Sequence, residues 1–263
     1  MALSEELAVS KTRRTWFSVL AVVFALIFGV ALFGWIGLVL GWTSGGEDQI
    51  HRVHDIGSSG VATGIFVALP LLILSWRRDD VALLQMLGVA MIATMIGSVL
   101  ALDWVFLVYV VILAVPLVIL LAISNGWARY ARAGEGPDRV LVAAALVAAP
   151  FWIAFALSMA RLQRAGPAND PHVEMHHWTG MAIMGIALVF LPLLAALRTP
   201  GWRIVAWLTG LGSIVYGVAS AVFATYPGSS VPYPGSEGVV WGALAIVWGV
   251  VFIGLAEQRA RMA

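Results

Sequence analysis

The chain has 263 residues, of which 61% are hydrophobic and 11% charged, with a formal net charge of +1 and no cysteine. A soluble domain carries about 25% charged residues and a disordered one still more, so both classes are excluded. The near-zero charge excludes nucleic-acid binding by bulk electrostatics, and the missing cysteine excludes disulfides, iron–sulfur clusters, thiolate zinc and cysteine nucleophiles.

A spanning helix needs about 20 mostly apolar residues. Eight segments qualify: 16–41, 56–76, 81–101, 104–124, 140–160, 177–197, 203–225 and 238–257. They predict an all-α polytopic membrane protein. The first apolar run covers about 25 residues, against 7–15 in a secretory leader, so it reads as a span. The only lysine is Lys11, near the start of the chain. A Schiff-base lysine within the membrane is therefore excluded.

Basic residues set orientation. With the N-terminus inside, the inner segments hold 12 of the 15 Lys and Arg residues, and the outer ones only Arg52, Arg161 and Arg164. The expectation is N-in/C-in, in a bacterial-type cytoplasmic membrane. All five histidines (His51, His54, His172, His176 and His177) then fall outside.

Shifting the sequence by 122 residues aligns His54–Leu100 with His176–Val222 without gaps. His54 meets His176, Pro70 meets Pro192, Gly88 meets Gly210 and Ser98 meets Ser220. This predicts two parallel four-helix repeats, residues 1–124 and 140–263, joined by a cytoplasmic linker at 125–139. Each half crosses the membrane an even number of times, so the pseudo-two-fold axis would lie along the membrane normal. His54 and His176 would then be equivalent, at one depth, and able to face each other across that axis.

Both histidine segments carry carboxylates. At 100° per residue, Asp48, His51, His54 and Asp55 fall within an arc of about 120° on one helix. In the second segment Asp170 caps a helix that begins at Pro171. If that helix ran to residue 198 it would measure about 42 Å, and its first turns would project beyond the hydrocarbon. His172 and His176 would share a face, and His177 would point elsewhere. Imidazole with carboxylate is the donor set that Zn, Cu, Fe or Mn accept. The candidate metal ligands are Asp48, His51, His54, Asp55, His172, Glu174, His176 and His177, with His54 and His176 as candidate haem b or metal ligands. The same residues also suit a solvated acidic rim, or a histidine cluster that responds to pH.

Elsewhere the signals are plainer. Asp103 and Glu237 read as markers of the water boundary. Trp16, Trp42, Trp104, Trp178 and Trp202 read as an interfacial belt. Residues 226–235, rich in Pro and Gly, read as an outer loop, either a lid over the histidines or a plain connection. No charged residue falls in the middle of a span, which disfavours an ion-coupled transporter.

Eight spans in two four-helix halves, with histidines heading spans two and six, resemble the haem A synthase family. The stretch Glu47-Asp48-Gln49-Ile50-His51-Arg52 is similar to that family's Glu-x-x-His-Arg element, with Asp48 at the acidic position. Leu83-Leu84-Gln85-Met86-Leu87-Gly88 is similar to its third span. The resemblance implies haem ligation by paired histidines. The family also carries histidines on spans four and eight, where this chain has none. His51-Arg52-Val53-His54-Asp55 leading into Phe66-Val67-Ala68-Leu69-Pro70 also resembles a motif of an uncharacterised family of small bacterial polytopic membrane proteins, which implies a fold but no activity. Two functions stand as expectations: a redox or metal-dependent membrane protein with an outward metal or haem site, or an accessory subunit of a membrane complex with no cofactor. The expected partners are the lipid bilayer and other membrane proteins, not nucleic acid.

Overall fold

The computed structural model describes residues 2–131, 134, 136–230 and 238–262, and no strand occurs among them. Among these residues, eight helices are long and apolar enough to cross a membrane. They are α1 (Lys11–Thr43), α2 (Gln49–Leu74), α3 (Val81–Ala101), α4 (Phe106–Ser124), α5 (Arg139–Ala165), α6 (His177–Ala196), α7 (Trp202–Val222) and α8 (Gly238–Arg261). Helices are the form such a sequence must take, because lipid offers backbone N–H and C=O groups no partner.

Burial sorts the eight into an inner and an outer set. In α6, 89% of the apolar window is buried inside the protein, against 28% in α4 and 33% in α1, α5 and α8. The figures for α2, α3 and α7 lie between these. The central helix α6 packs on α2, α3, α5 and α7. The outer helices turn apolar side chains away from the protein, as α4 does with Val108, Val111, Val115 and Val118.

Two expected helices are interrupted. The first span, read as continuous over 16–41, bends where Phe33 adopts a left-handed backbone at φ 61°. Beyond the bend, Gly34, Gly37 and Gly41 lie directly on α2. A Cβ added to Gly34 would sit 2.9 Å from Gly64 Cα, and one added to Gly64 would sit 2.8 Å from the Gly34 carbonyl oxygen. Small residues permit this backbone contact, and the contact pulls the second half of α1 over onto α2. The first half of α1 packs instead on α4 and on the far end of α2.

The helix expected to run unbroken over 171–198 is in fact two. A single turn, Pro171–Glu174, is followed by α6, and His176 stands between them with φ 58°. The chain therefore changes direction ahead of α6, and the spacing of a regular helix no longer governs which histidines share a face.

Within α2 the turns over Asp55–Ala68 are wide, with i→i+5 hydrogen bonding. Ser58 Oγ donates to the His54 carbonyl at 2.6 Å, and Pro70 has no N–H to give to the turn before it. Both features loosen the ordinary ladder at opposite ends of the wide stretch.

At the end of the bundle away from the histidines, loops and helix ends are tied by polar side chains. Gln85 donates to the Tyr130 carbonyl and accepts from Thr199. Asp138 is buried and caps α5 by accepting from the N–H groups of Val140 and Leu141. Its other carboxylate oxygen accepts from Arg259 Nε of α8 at 2.7 Å, and its own N–H donates to the Ala196 carbonyl at 2.8 Å. Burial pushes the Asp138 carboxyl up, but Arg259 and the two capping N–H groups outweigh that and hold it below the ordinary carboxylate range. Its stabilisation is therefore full at neutral pH and is lost as pH falls through the lowered value. Replacing Asp138 with Ala removes both cap and ion pair, and should cost about 2–4 kcal/mol at pH 7. Thermal unfolding in detergent from pH 7 to pH 3 should show the gap between wild type and Asp138→Asn narrowing with acid.

Candidate functional site

The opposite end of the bundle holds the histidines. Four of them converge there: His51 and His54 from the start of α2, His172 from the Pro171–Glu174 turn, and His177 at the head of α6. Ring centroids lie 4.8 Å apart for His51–His172, His51–His177 and His54–His172, and 5.2 Å apart for His54–His177. Trp178, read from sequence as an interfacial anchor, is buried and lies against His54 at 4.6 Å and His172 at 5.3 Å.

The hydrogen bonding is uneven. His51 Nδ1 and His177 Nδ1 are 3.1 Å apart, so one must donate and the other accept. His172 is oriented by Asp170, whose Oδ1 takes the His172 backbone N–H and its Nδ1–H, each at 2.9 Å. Burial pushes the Asp170 carboxyl up, but the backbone and ring donors of His172 outweigh it and hold the carboxyl below its usual range. His172 Nε2 lies 3.3 Å from the Ile50 carbonyl oxygen, which accepts from it when that nitrogen carries a proton. His54 is 0% exposed, and neither of its ring nitrogens makes a hydrogen bond of good geometry, the His177 backbone being a weak polar neighbour of the ring.

A loop closes over this group. Gly228 has φ 80°, and a Cβ there would lie 3.0 Å from His54 Cε1 and 3.1 Å from Nε2. Its carbonyl accepts from Tyr216 Oη at 2.9 Å, and Tyr226 Oη donates to Gln49 at 2.9 Å, so the loop is fastened to α7 and to α2. Arg52 donates to the Ser44 carbonyl and lies over the Phe223 ring at 5.0 Å. Residues 223–230 thus lid the histidines, while Pro232–Gly235 lie outside the described residues.

His176, expected beside His54, is directed elsewhere. Its Nδ1 bonds Asp103 Oδ2 at 2.8 Å, Thr179 Oγ1 donates to the same oxygen at 2.7 Å, and its ring meets Phe106 edge-on. Asp103, read from sequence as a boundary marker, is the buried partner that holds the left-handed turn. His177, expected to point away, joins the cluster instead. Asp55 is half-buried and lines a neighbouring cavity, and Glu174 is exposed. The side chain of Asp48 and all of Glu237 lie outside the described residues. Among the described residues, no three His, Asp or Glu side chains form a ready-made metal cage. No family model, curated protein or solved structure matches this chain.

Gly228 is the residue that seals His54, and sequence spacing gave no sign of it. Gly228→Val should be strained at that φ and lift the lid. Histidine modification by diethyl pyrocarbonate, mapped by mass spectrometry, should spare His54 in the wild type and reach it in Gly228→Val. Equal protection in both would show that the loop does not seal it.

Proposed function

We propose that this protein is a multi-pass membrane protein that binds a transition-metal ion through His51, His54, His172 and His177. The observation that carries the reading is His54, fully buried among three other imidazoles with neither ring nitrogen in a hydrogen bond of good geometry. A buried polar group without a good partner is costly, and a cation offsets that cost where a second hydrogen-bond donor is absent. Two further features support it. Two nitrogens bound to one tetrahedral zinc stand about 3.3 Å apart, close to the His51–His177 spacing of 3.1 Å. The Asp170–His172 pair is the carboxylate–imidazole arrangement that commonly orients a metal-ligating histidine from behind. Closing the cage requires His54 and its neighbours to turn about their side-chain bonds. An all-imidazole set suits Zn, Cu or Fe.

A metal ion is preferred to haem b. Haem needs two imidazoles facing each other across an open slot, whereas Gly228 covers His54 and Asp103 engages His176. The finer architecture belongs to the same proposal: two four-helix halves in parallel, N-in/C-in in a plasma membrane, with the histidine end outside. Helix neighbours support it, since exchanging the halves maps most contacts onto others that occur. The pair α1–α2 maps onto α5–α6, α3–α4 onto α7–α8, α1–α4 onto α5–α8 and α2–α7 onto α6–α3, and α2–α6 maps onto itself.

The test is metal analysis of detergent-purified chain after incubation with Zn²⁺, Cu²⁺ or Fe²⁺ and gel filtration. The wild type should retain about one ion per chain. His54→Ala and His172→Ala should lose it, Asp170→Asn should weaken it by about 10–100-fold, and His176→Ala should keep it. Retention of the ion by a variant lacking all four cluster histidines, or no retention by the wild type, would refute the proposal.

A further inference from the structure

Beside the histidine cluster lies a cavity of about 430 Å³, bounded by α1, α2, α3, α4 and α6. Its lining is divided. Asp55, Tyr109, His176, His177 and the four hydroxyl residues Ser58, Ser59, Thr63 and Thr94 are polar, and the remainder is apolar, with Phe28, Phe66, Leu113 and Leu191 among it. The polar groups include both head residues of α6 and the first residue of the wide turns of α2. Most of the apolar ones come from nearer the middle of their helices. The cavity therefore has a hydrogen-bonding end and a greasy body, and the volume falls in the range of small-molecule sites.

Its origin is the bend in α1. Because the first half of α1 packs on α4 and the second half leans onto α2, the helix departs from α4 beyond Phe33. Phe33, Leu40, Tyr109 and Met175 line the cavity and are exposed on the outside of the protein. The lining thus reaches a surface that α1 and α4 would present to lipid, near the histidine end. A ligand entering by this route would come from the bilayer rather than from water.

We infer that this cavity binds a membrane-dissolved lipophile bearing a hydroxylated head group, such as a quinol or an isoprenoid alcohol. A hydroxyl donates to a carboxylate such as Asp55 and accepts from an imidazole N–H or a Ser or Thr hydroxyl. The head would lie among Asp55, His176 and His177, and the tail along Phe66 and Leu113. A charged head is disfavoured, because the lining includes neither Lys nor Arg to neutralise a phosphate. This inference shares His177 with the metal reading, whereas His51, His54 and His172 do not line the cavity.

The test uses the full chain in nanodiscs, with radiolabelled farnesol as the probe, decylubiquinol as competitor and empty nanodiscs as the blank. Binding should be saturable. Ala62→Trp and Ala31→Trp, both on the lining, fill the space from different helices and should each weaken binding by at least about tenfold. Gel filtration and thermal unfolding establish that each variant is folded, and one folded variant of the two suffices. His54→Asn should change binding by less than about twofold while abolishing metal retention, so the two proposals fail separately. Displacement by decylubiquinol assigns the quinol class, and its absence assigns the isoprenoid alcohol. Non-saturable uptake, full binding by a folded cavity-filled variant, or equal binding of farnesyl methyl ether would overturn the inference.

Discussion

Lone pairs in an apolar setting govern this structure. Among helices that face lipid, every polar atom must find a partner within the protein or forfeit its hydration. Most do: Asp138 is capped and paired, Asp103 takes two donors, and Tyr216 joins the lid to Trp241. The exceptions include His54, Ser44, Arg78, Ser98, Gln163 and Arg198, and among them His54 alone sits within a group of other imidazoles. The proposed cation rests on that surrounding.

The path by which the chain builds that arrangement runs through backbone geometry more than side-chain chemistry. Glycines on α1 let it lie against α2, and that contact fixes where the first two helices meet. The left-handed residue His176 redirects the chain ahead of α6, carrying His172 and His177 to one side and His176 to the other. The bend at Phe33 that accompanies the glycine contact also separates α1 from α4. Cluster and cavity are thus neighbouring products of packing on the same helix, α2.

Legibility in the sequence follows the range of the interactions. Span number and approximate limits were readable because lipid imposes a composition over about 20 residues at a time. The two histidine segments stood out by their local density of imidazole and carboxylate, and the fold brings four of their five histidines together. The pairing within them was not readable. Which of His172, His176 and His177 faces His54 depends on a turn held by Asp103, 73 residues away from His176. No helical periodicity encodes that contact. The lid was named from sequence only as one alternative, because Pro and Gly mark a turn without stating what lies beneath it. The cavity left no trace at all, since it arises where a helix bends away from its neighbour.

The convergence of imidazoles from α2 and α6 is the claim on which the rest stands, and five histidines are few enough to resolve individually. Solid-state NMR of ring-¹⁵N-histidine protein in lipid should give a nitrogen–nitrogen correlation between His51 and His177 at their 3.1 Å separation. That signal should vanish in His51→Asn and persist in His176→Asn. A spectrum in which His51 and His177 show no correlation, each behaving as an isolated hydrated imidazole, would contradict the account.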